Sequence, residues 1–100
     1  GEGSTRADHQ EISNQNYDAY SRAQEVRALA GIVGKAGLTP VDLNYMNFGD
    51  EFEKKFLTQA IDENRTIEET LGLQWNCVSK LPKNELTKVK DKYVDQYYKE

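Results

Sequence analysis

Aromatic residues recur along the middle of the chain at helical spacing. Tyr45, Phe48, Phe52 and Phe56 stand three and four positions apart, so four rings fall on one stripe of a helix predicted over 40–59. Pro40, directly after Thr39, suits the first helical position, where a missing N–H costs nothing. The same period runs through the flanking segments. Ile12, Asn16, Tyr20 and Ala23 make an inner line for a first helix over 6–20, and Val26, Leu29, Ala30 and Val33 for a second over 22–33. Ile67, Leu71, Trp75 and Val78 mark a fourth helix over 67–80. Leu86, Val89, Tyr93 and Tyr97 mark a fifth that starts at Pro82. Four sites place a side chain able to cap a helix three residues before an acid or amide: Thr5 with Asp8, Ser21 with Gln24, Thr39 with Asp42, and Thr66 with Glu69. Gly34 and Gly37 are expected to end the second helix in a left-handed cap. No alternating strand pattern exceeds a few residues, so the expected fold is all-α, a bundle of about five helices in a single domain over 1–100.

Composition narrows this further. With 37% apolar and 30% charged residues among 100, the core is thin and the surface heavily solvated; a chain of this size buries about 65% of its unfolded surface. The net charge of −4 argues against a nucleic-acid or anionic-membrane partner. That charge is uneven: residues 80–100 hold six lysines against four acids, a net of +2, which leaves −6 for the rest. Cys77 is the single cysteine, so no internal disulfide is available and a reducing compartment suits the chain. No run approaches the roughly 20 apolar residues of a membrane span, so direct membrane insertion is not expected. The chain opens on Gly1 rather than Met and is expected to be a fragment of a longer subunit.

Candidate chemistry is sparse. His9 is the only histidine and lacks companions for a metal site, so no metal is expected. Cys77 falls beside the apolar line of its helix and reads as a packed thiol, not a nucleophile. Gly1, Glu2 and Gly3 lack the strand before and the Lys-Ser/Thr after that make a phosphate loop. Asp50, Glu51 and Glu53, with Lys54 and Lys55, read as the wet face of the third helix, Glu51 and Lys55 pairing across one turn. The aromatic stripe matches the helix period and is read as core packing in preference to a cofactor box. Arg65 stands out, because a cation just ahead of a helix N-terminus opposes the helix dipole. It is read either as a functional residue or as a surface partner of Asp62 or Glu63. No catalytic residue is expected.

The stretch FEKKFLTQAIDENRTIEETLGLQW, residues 52–75, resembles the C-terminal region of the non-catalytic B subunit of archaeal and vacuolar-type rotary ATPases. A run close to F-x-x-x-F-V-x-Q-G, two residues, E-N-R-[ST]-I-x-E-T-L-x-L-x-W is typical of that family. Gly1, Glu2 and Gly3 with Thr5, Arg6, Asp8 and His9 at the start, Ser13, Asn14, Gln15, Tyr17, Ala19 and Tyr20 after them, and Leu81, Pro82, Lys83, Glu85 and Leu86 near the end agree in the same order. The resemblance implies a helical domain beneath a nucleotide-binding domain, in a hetero-hexameric ring where B alternates with catalytic A subunits around a central rotor stalk. It also implies coupling of ATP synthesis or hydrolysis to H⁺ or Na⁺ transport, in a soluble head peripheral to the membrane on its cytoplasmic side.

The family's phosphate loop and arginine finger precede the part that resembles Gly1. The chain is therefore expected to hold no cofactor and to hydrolyse no ATP by itself, ATP or ADP with Mg²⁺ belonging to the parent complex. Two regions carry expected roles. Phe56, Gln59 and Arg65 correspond to positions near the nucleotide. The turn over 34–42, with Gly34, Lys35, Gly37, Leu38 and Asp42, corresponds to a rotor-facing loop. In that turn Lys35 and Ala36 stand where the family usually has glutamates, so contact by shape is expected in place of contact by charge. Ala60, Gly72, Cys77 and Lys80 are further departures and mark a divergent member. The competing reading is a free-standing helical interaction module.

Overall fold

The computed structural model describes residues 7–57 and 66–99, without the side chains of Phe56 and Leu57. Among these residues every regular element is helical. The first, α1, spans His9–Val33 as one uninterrupted helix of 25 residues, about 37 Å long. The expected cap from Thr5 lies outside the described residues. The break expected at Ser21 does not occur. No Pro or Gly interrupts the chain between His9 and Ala30, serine in a helix costs only a few tenths of a kcal/mol, and the buried line passes straight through. Ile12, Asn16, Ala19, Ala23 and Val26 are spaced by three and four, and all are buried. An apolar line that continues across a potential cap outweighs the cap. The two expected N-terminal helices are thus one, and the bundle has four α-helices among the described residues.

A 3₁₀ turn over Lys35–Gly37 leads into α2, Pro40–Glu51. Thr39 Oγ1 accepts from the Asp42 N–H and the Asp42 carboxylate accepts from the Thr39 N–H, both at 3.1 Å, so the expected capping box is complete. Beyond Glu51 the helix widens into a π-helical turn over Phe52–Leu57; the expected end at residue 59 lies outside the described residues. The next helix, α3, spans Ile67–Val78 and opens on the second expected capping box, Thr66 with Glu69.

The fifth expected helix is the largest departure. After Pro82 the chain makes one 3₁₀ turn, Lys83–Glu85, and an α-helix begins only at Asp91, where α4 runs Asp91–Tyr97. Other elements capture the intervening backbone. Gln15 Oε1 accepts the Lys88 N–H at 2.8 Å, and Glu11 accepts both the Lys90 N–H at 2.8 Å and the Lys90 ammonium. The Glu85 carboxylate receives the Tyr45 hydroxyl at 2.7 Å. Residues 81–90 are a strap across α1 and α2; the Lys88 and Lys90 N–H groups find side-chain acceptors, while those of Leu81, Glu85, Leu86 and Thr87 bond carbonyls in local turns.

The core lies where α1, α2 and α3 meet. Tyr45, Phe48 and Phe52 are buried, as the aromatic stripe requires; the fourth ring, Phe56, lies outside the described side chains. Phe48 and Phe52 stack at 5.5 Å, and Tyr20 lies 5.1 Å from Phe52. From α3, Leu71, Trp75 and Val78 close the core. The Trp75 indole N–H donates to Asp8 Oδ2 at 2.7 Å, so the start of α1 is tied to the middle of α3.

Phe52 is 1% exposed. Its truncation to Ala is expected to cost about 3–5 kcal/mol, a large fraction of the stability of a domain this size. Urea denaturation checks this, and a midpoint unchanged from the parent would contradict the packing.

Candidate functional site

The turn that joins α1 to α2 is built from local constraints. The Gly34 N–H donates to Ala30 O at 2.8 Å and ends α1. Gly34 adopts φ 78°, ψ 164°, so φ is positive as expected but ψ is extended. This differs from the left-handed cap, and it is a conformation that glycine alone takes readily. Gly37 has no positive φ. Its need for glycine is one of space, because a Cβ there would lie 2.8 Å from Val33 Cγ2. The Gly37 N–H donates to Gly34 O and the Leu38 N–H to Lys35 O, each at 3.1 Å. Leu38 is half-buried and packs against the core, stapling the turn to the bundle. Asp42 is held in the capping box, which leaves Lys35 as the exposed charge of the turn.

Around this turn the structure corrects the expected inner face of α1. Leu29 is 41% exposed, Val33 49% and Ile32 82%, while Ala30 is half-buried. The last buried residue of α1 is Val26, and the helix continues for two more turns beyond it. Leu43, in the first turn of α2, is exposed as well. The tip of the α1–α2 hairpin therefore shows several large aliphatic side chains to solvent, beside a turn of fixed shape. The helical period did not reveal this, because the line through Ala23 and Val26 continues in phase to Ala30 and Val33 while burial stops at Val26.

Of the three positions expected near the nucleotide, Phe56 belongs to the π-helical turn and its side chain is outside the described set. Gln59 and Arg65 also lie outside the described residues, as does the expected pairing of Arg65 with Asp62 or Glu63. What the structure does show is how the start of the π turn is held. Arg27 of α1 donates from Nη1 to Glu53 at 2.7 Å and to Gln24 at 2.8 Å, and from Nη2 to Asp50 at 2.8 Å. The Tyr20 hydroxyl donates to the same Glu53 carboxylate. A Cβ on Gly49 would lie 3.0 Å from Ala23 Cβ and 3.1 Å from Arg27 Nη2, so the two helices approach closely at this point.

The Arg27 hydrogen bond, followed by that of Tyr20, holds the Glu53 carboxyl below the ordinary glutamate value of 4.5. The same contact pushes Arg27 and Tyr20 up. Asp50 and Glu53 are therefore working partners of α1, where the sequence indicated only a wet face. Glu51 and Lys55 do form the expected pair, at 2.9 Å. Tyr20, Gln24 and Arg27 share one face at spacings of four and three, a signal that the assumed break at Ser21 concealed.

The remaining candidates are structural. Cys77 is fully buried, as expected, and its thiol is pushed up to about 12, first by burial and then by the Glu51 carboxylate. His9 is half-buried in the first turn of α1. Among the described residues no group of three or more His, Cys, Asp and Glu side chains is placed to hold a metal, and no helix is long and apolar enough to cross a membrane.

The family model described as the C-terminal domain of V and A type ATP synthase matches residues 1–98. The chain is 81% identical over 100 residues, all of its length, to the B subunit of the A-type ATP synthase of Nitrosopumilus maritimus, of which it covers 22%. It is 48% identical over 99 residues to the V-type ATP synthase beta chain of Thermotoga neapolitana, covering 99% of this chain and 22% of that one. With the B subunit of the A-type ATP synthase of Sulfolobus acidocaldarius the figure is 46% over 98 residues, 98% of this chain and 21% of that one. The chain spans about a fifth of the length of these relatives.

Two outcomes follow from the geometry. Glu53 is lowered on folding, so its contribution is present above 4.5 and is lost as pH falls through its folded value. Glu53→Gln should then lower stability at neutral pH by about 0.5–1 kcal/mol, the range for a partly exposed pair. The gap from the parent should close in acid, and urea titrations showing a gap independent of pH would contradict the clamp. The Cys77 thiol should be inert to a disulfide reagent at pH 8 in the folded chain and react at once in urea. Fast reaction of the native protein would contradict its burial.

Proposed function

The chain belongs to the family of C-terminal domains of V and A type ATP synthases, and on that premise we propose that it is the force-transmitting, non-catalytic C-terminal part of a B subunit. In this reading it sits in a ring with catalytic A subunits, in the soluble head at the cytoplasmic side of the membrane. Its hairpin tip meets the central rotor, and the complex couples ATP synthesis or hydrolysis to movement of H⁺ or Na⁺. Nucleotide and Mg²⁺ are handled by other parts of the assembly. The single observation that carries the reading is the 81% identity over the whole chain to the B subunit of an A-type ATP synthase.

The geometry of the tip supports contact by shape. A part that pushes on a moving shaft needs stiffness and a surface that does not lock onto one charge. Stiffness comes from Gly34, the 3₁₀ turn over Lys35–Gly37, the Leu38 staple and the Thr39–Asp42 box. The surface comes from Leu29, Ile32, Val33 and Leu43, with Lys35 as the one exposed charge of the turn. An isolated surface charge is screened within about 8 Å at physiological ionic strength. Phe56, Gln59 and Arg65 are proposed to face the nucleotide-binding side of the ring.

In the reconstituted complex, Lys35→Glu should leave torque and coupling nearly unchanged. Replacing Gly34 and Gly37 together by Val should impair coupling. Valine at φ 78° is strained by roughly 1–3 kcal/mol, and a Cβ at position 37 would collide with Val33. Rotation assays giving the opposite ranking would contradict the proposed contact.

A further inference from the structure

We propose that the cleft at the end of α3 is a docking site for an acidic peptide segment of a partner protein, a surface separate from the hairpin tip. The cleft has a volume of about 420 Å³ and is lined by Glu51, Lys55, Asn76, Ser79, Lys80 and Lys99. Three lysines from distant parts of the sequence converge there, against one carboxylate. This happens on a chain whose net charge is −4, so the local field opposes that of the molecule as a whole.

The rim is held in place. Ser79 Oγ accepts the Lys99 N–H at 2.9 Å and donates to Trp75 O at 2.7 Å. The Tyr98 hydroxyl donates to Leu81 O at 2.6 Å. These bonds fix the backbone that carries Lys80 and Lys99 beside the end of α3. Glu51 already neutralises Lys55, at 2.9 Å. Lys80 and Lys99 have no ion-pair partner among the described residues, and they are the cations available to an incoming group.

The choice of occupant follows from what else the cleft offers. A compact phosphate is best held by backbone N–H groups at a helix N-terminus. This cleft lies at the C-terminal end of α3, which presents no free backbone N–H groups to cradle a phosphate. Its open donors are ammonium groups on long stems, with the Asn76 amide between them, since the Ser79 hydroxyl is spent on Trp75 O. Spaced ammonium groups around an open cleft suit spaced carboxylates on an extended segment. Charge complementarity therefore favours a peptide rich in Asp and Glu over a single phosphate.

The test uses the chain with a fluorescein-labelled oligoglutamate peptide of about eight residues, roughly 25 Å when extended, followed by anisotropy at low and physiological ionic strength. Saturable binding that weakens with salt is expected. Lys80→Glu with Lys99→Glu should weaken it by at least about tenfold. Lys88→Glu with Lys92→Glu makes the same change in net charge away from the cleft and should shift it by less than about twofold. Lys80→Gln with Lys99→Gln, which keeps much of the side-chain length, should give an intermediate loss and serves if the double reversal fails to fold. The proposal is overturned if the parent shows no saturable binding, or if both double reversals weaken it equally. It is also overturned if inorganic phosphate binds in a Lys80- and Lys99-dependent manner while the peptide does not.

Discussion

The buried stripe of α1, running from Ile12 through Asn16, Ala19 and Ala23 to Val26, is the contact on which the other elements depend. Small residues at positions 19 and 23 let α2 come close, and Gly49 completes the fit from the other side, where a Cβ would lie 3.0 Å from Ala23 Cβ. That closeness brings Phe48 and Phe52 under Tyr20 and carries Arg27 over Gly49 to reach both Asp50 and Glu53. The polar positions of α1 serve the remaining elements. Asp8 anchors α3 through Trp75, while Glu11 and Gln15 hold the strap by its backbone N–H groups. One helix thus organises α2, α3 and the strap by close packing, an ion pair with shared hydrogen bonds, an indole–carboxylate hydrogen bond and capped backbone.

Helical elements with strong local signals were legible from residues alone. Thr39 with Pro40 and Asp42, and Thr66 with Glu69, mark helix starts through side chains that act within one turn, and both boxes are formed. The aromatic stripe was legible because its spacing matches the helix period and the rings are too large to leave exposed. The misreadings share a cause. Ser21 with Gln24 has the form of a cap, but a cap acts only where the chain leaves the helix, and continuous burial on both sides removes the reason to leave. From Pro82 to Lys90 the apolar spacing fits a helix, yet Glu11, Gln15 and Tyr45 hold that segment in another shape. Those partners lie roughly 40–80 residues away in sequence, beyond the reach of any local pattern.

The turn over 34–42 is where the resemblance put a rotor contact, and its exposed aliphatic neighbours are what a contact of that kind needs. The aliphatic surface was hidden because the inward line runs in phase past Val26 to Ala30 and Val33, and no local pattern says where burial ends. The Arg27 clamp was hidden by the assumed break at Ser21. Stiffness at the tip and at the start of the π turn have one origin, because both are fastened to the same long helix. Arg27 ties α1 to α2 through Glu53 and Asp50, so in the proposed role a push at the turn would be shared by both helices.

The central claim is that the tip of this hairpin meets the rotor of an A-type or V-type ATP synthase. Lys35→Cys, at an exposed position of the turn, allows a photo-crosslinker to be placed there in the assembled complex, while the buried Cys77 stays unlabelled. Irradiation followed by mass spectrometry of the adducts is expected to identify the central shaft, in a yield that changes when the rotor is locked at different angles. Adducts confined to neighbouring ring subunits, or a yield indifferent to rotor position, would contradict the account.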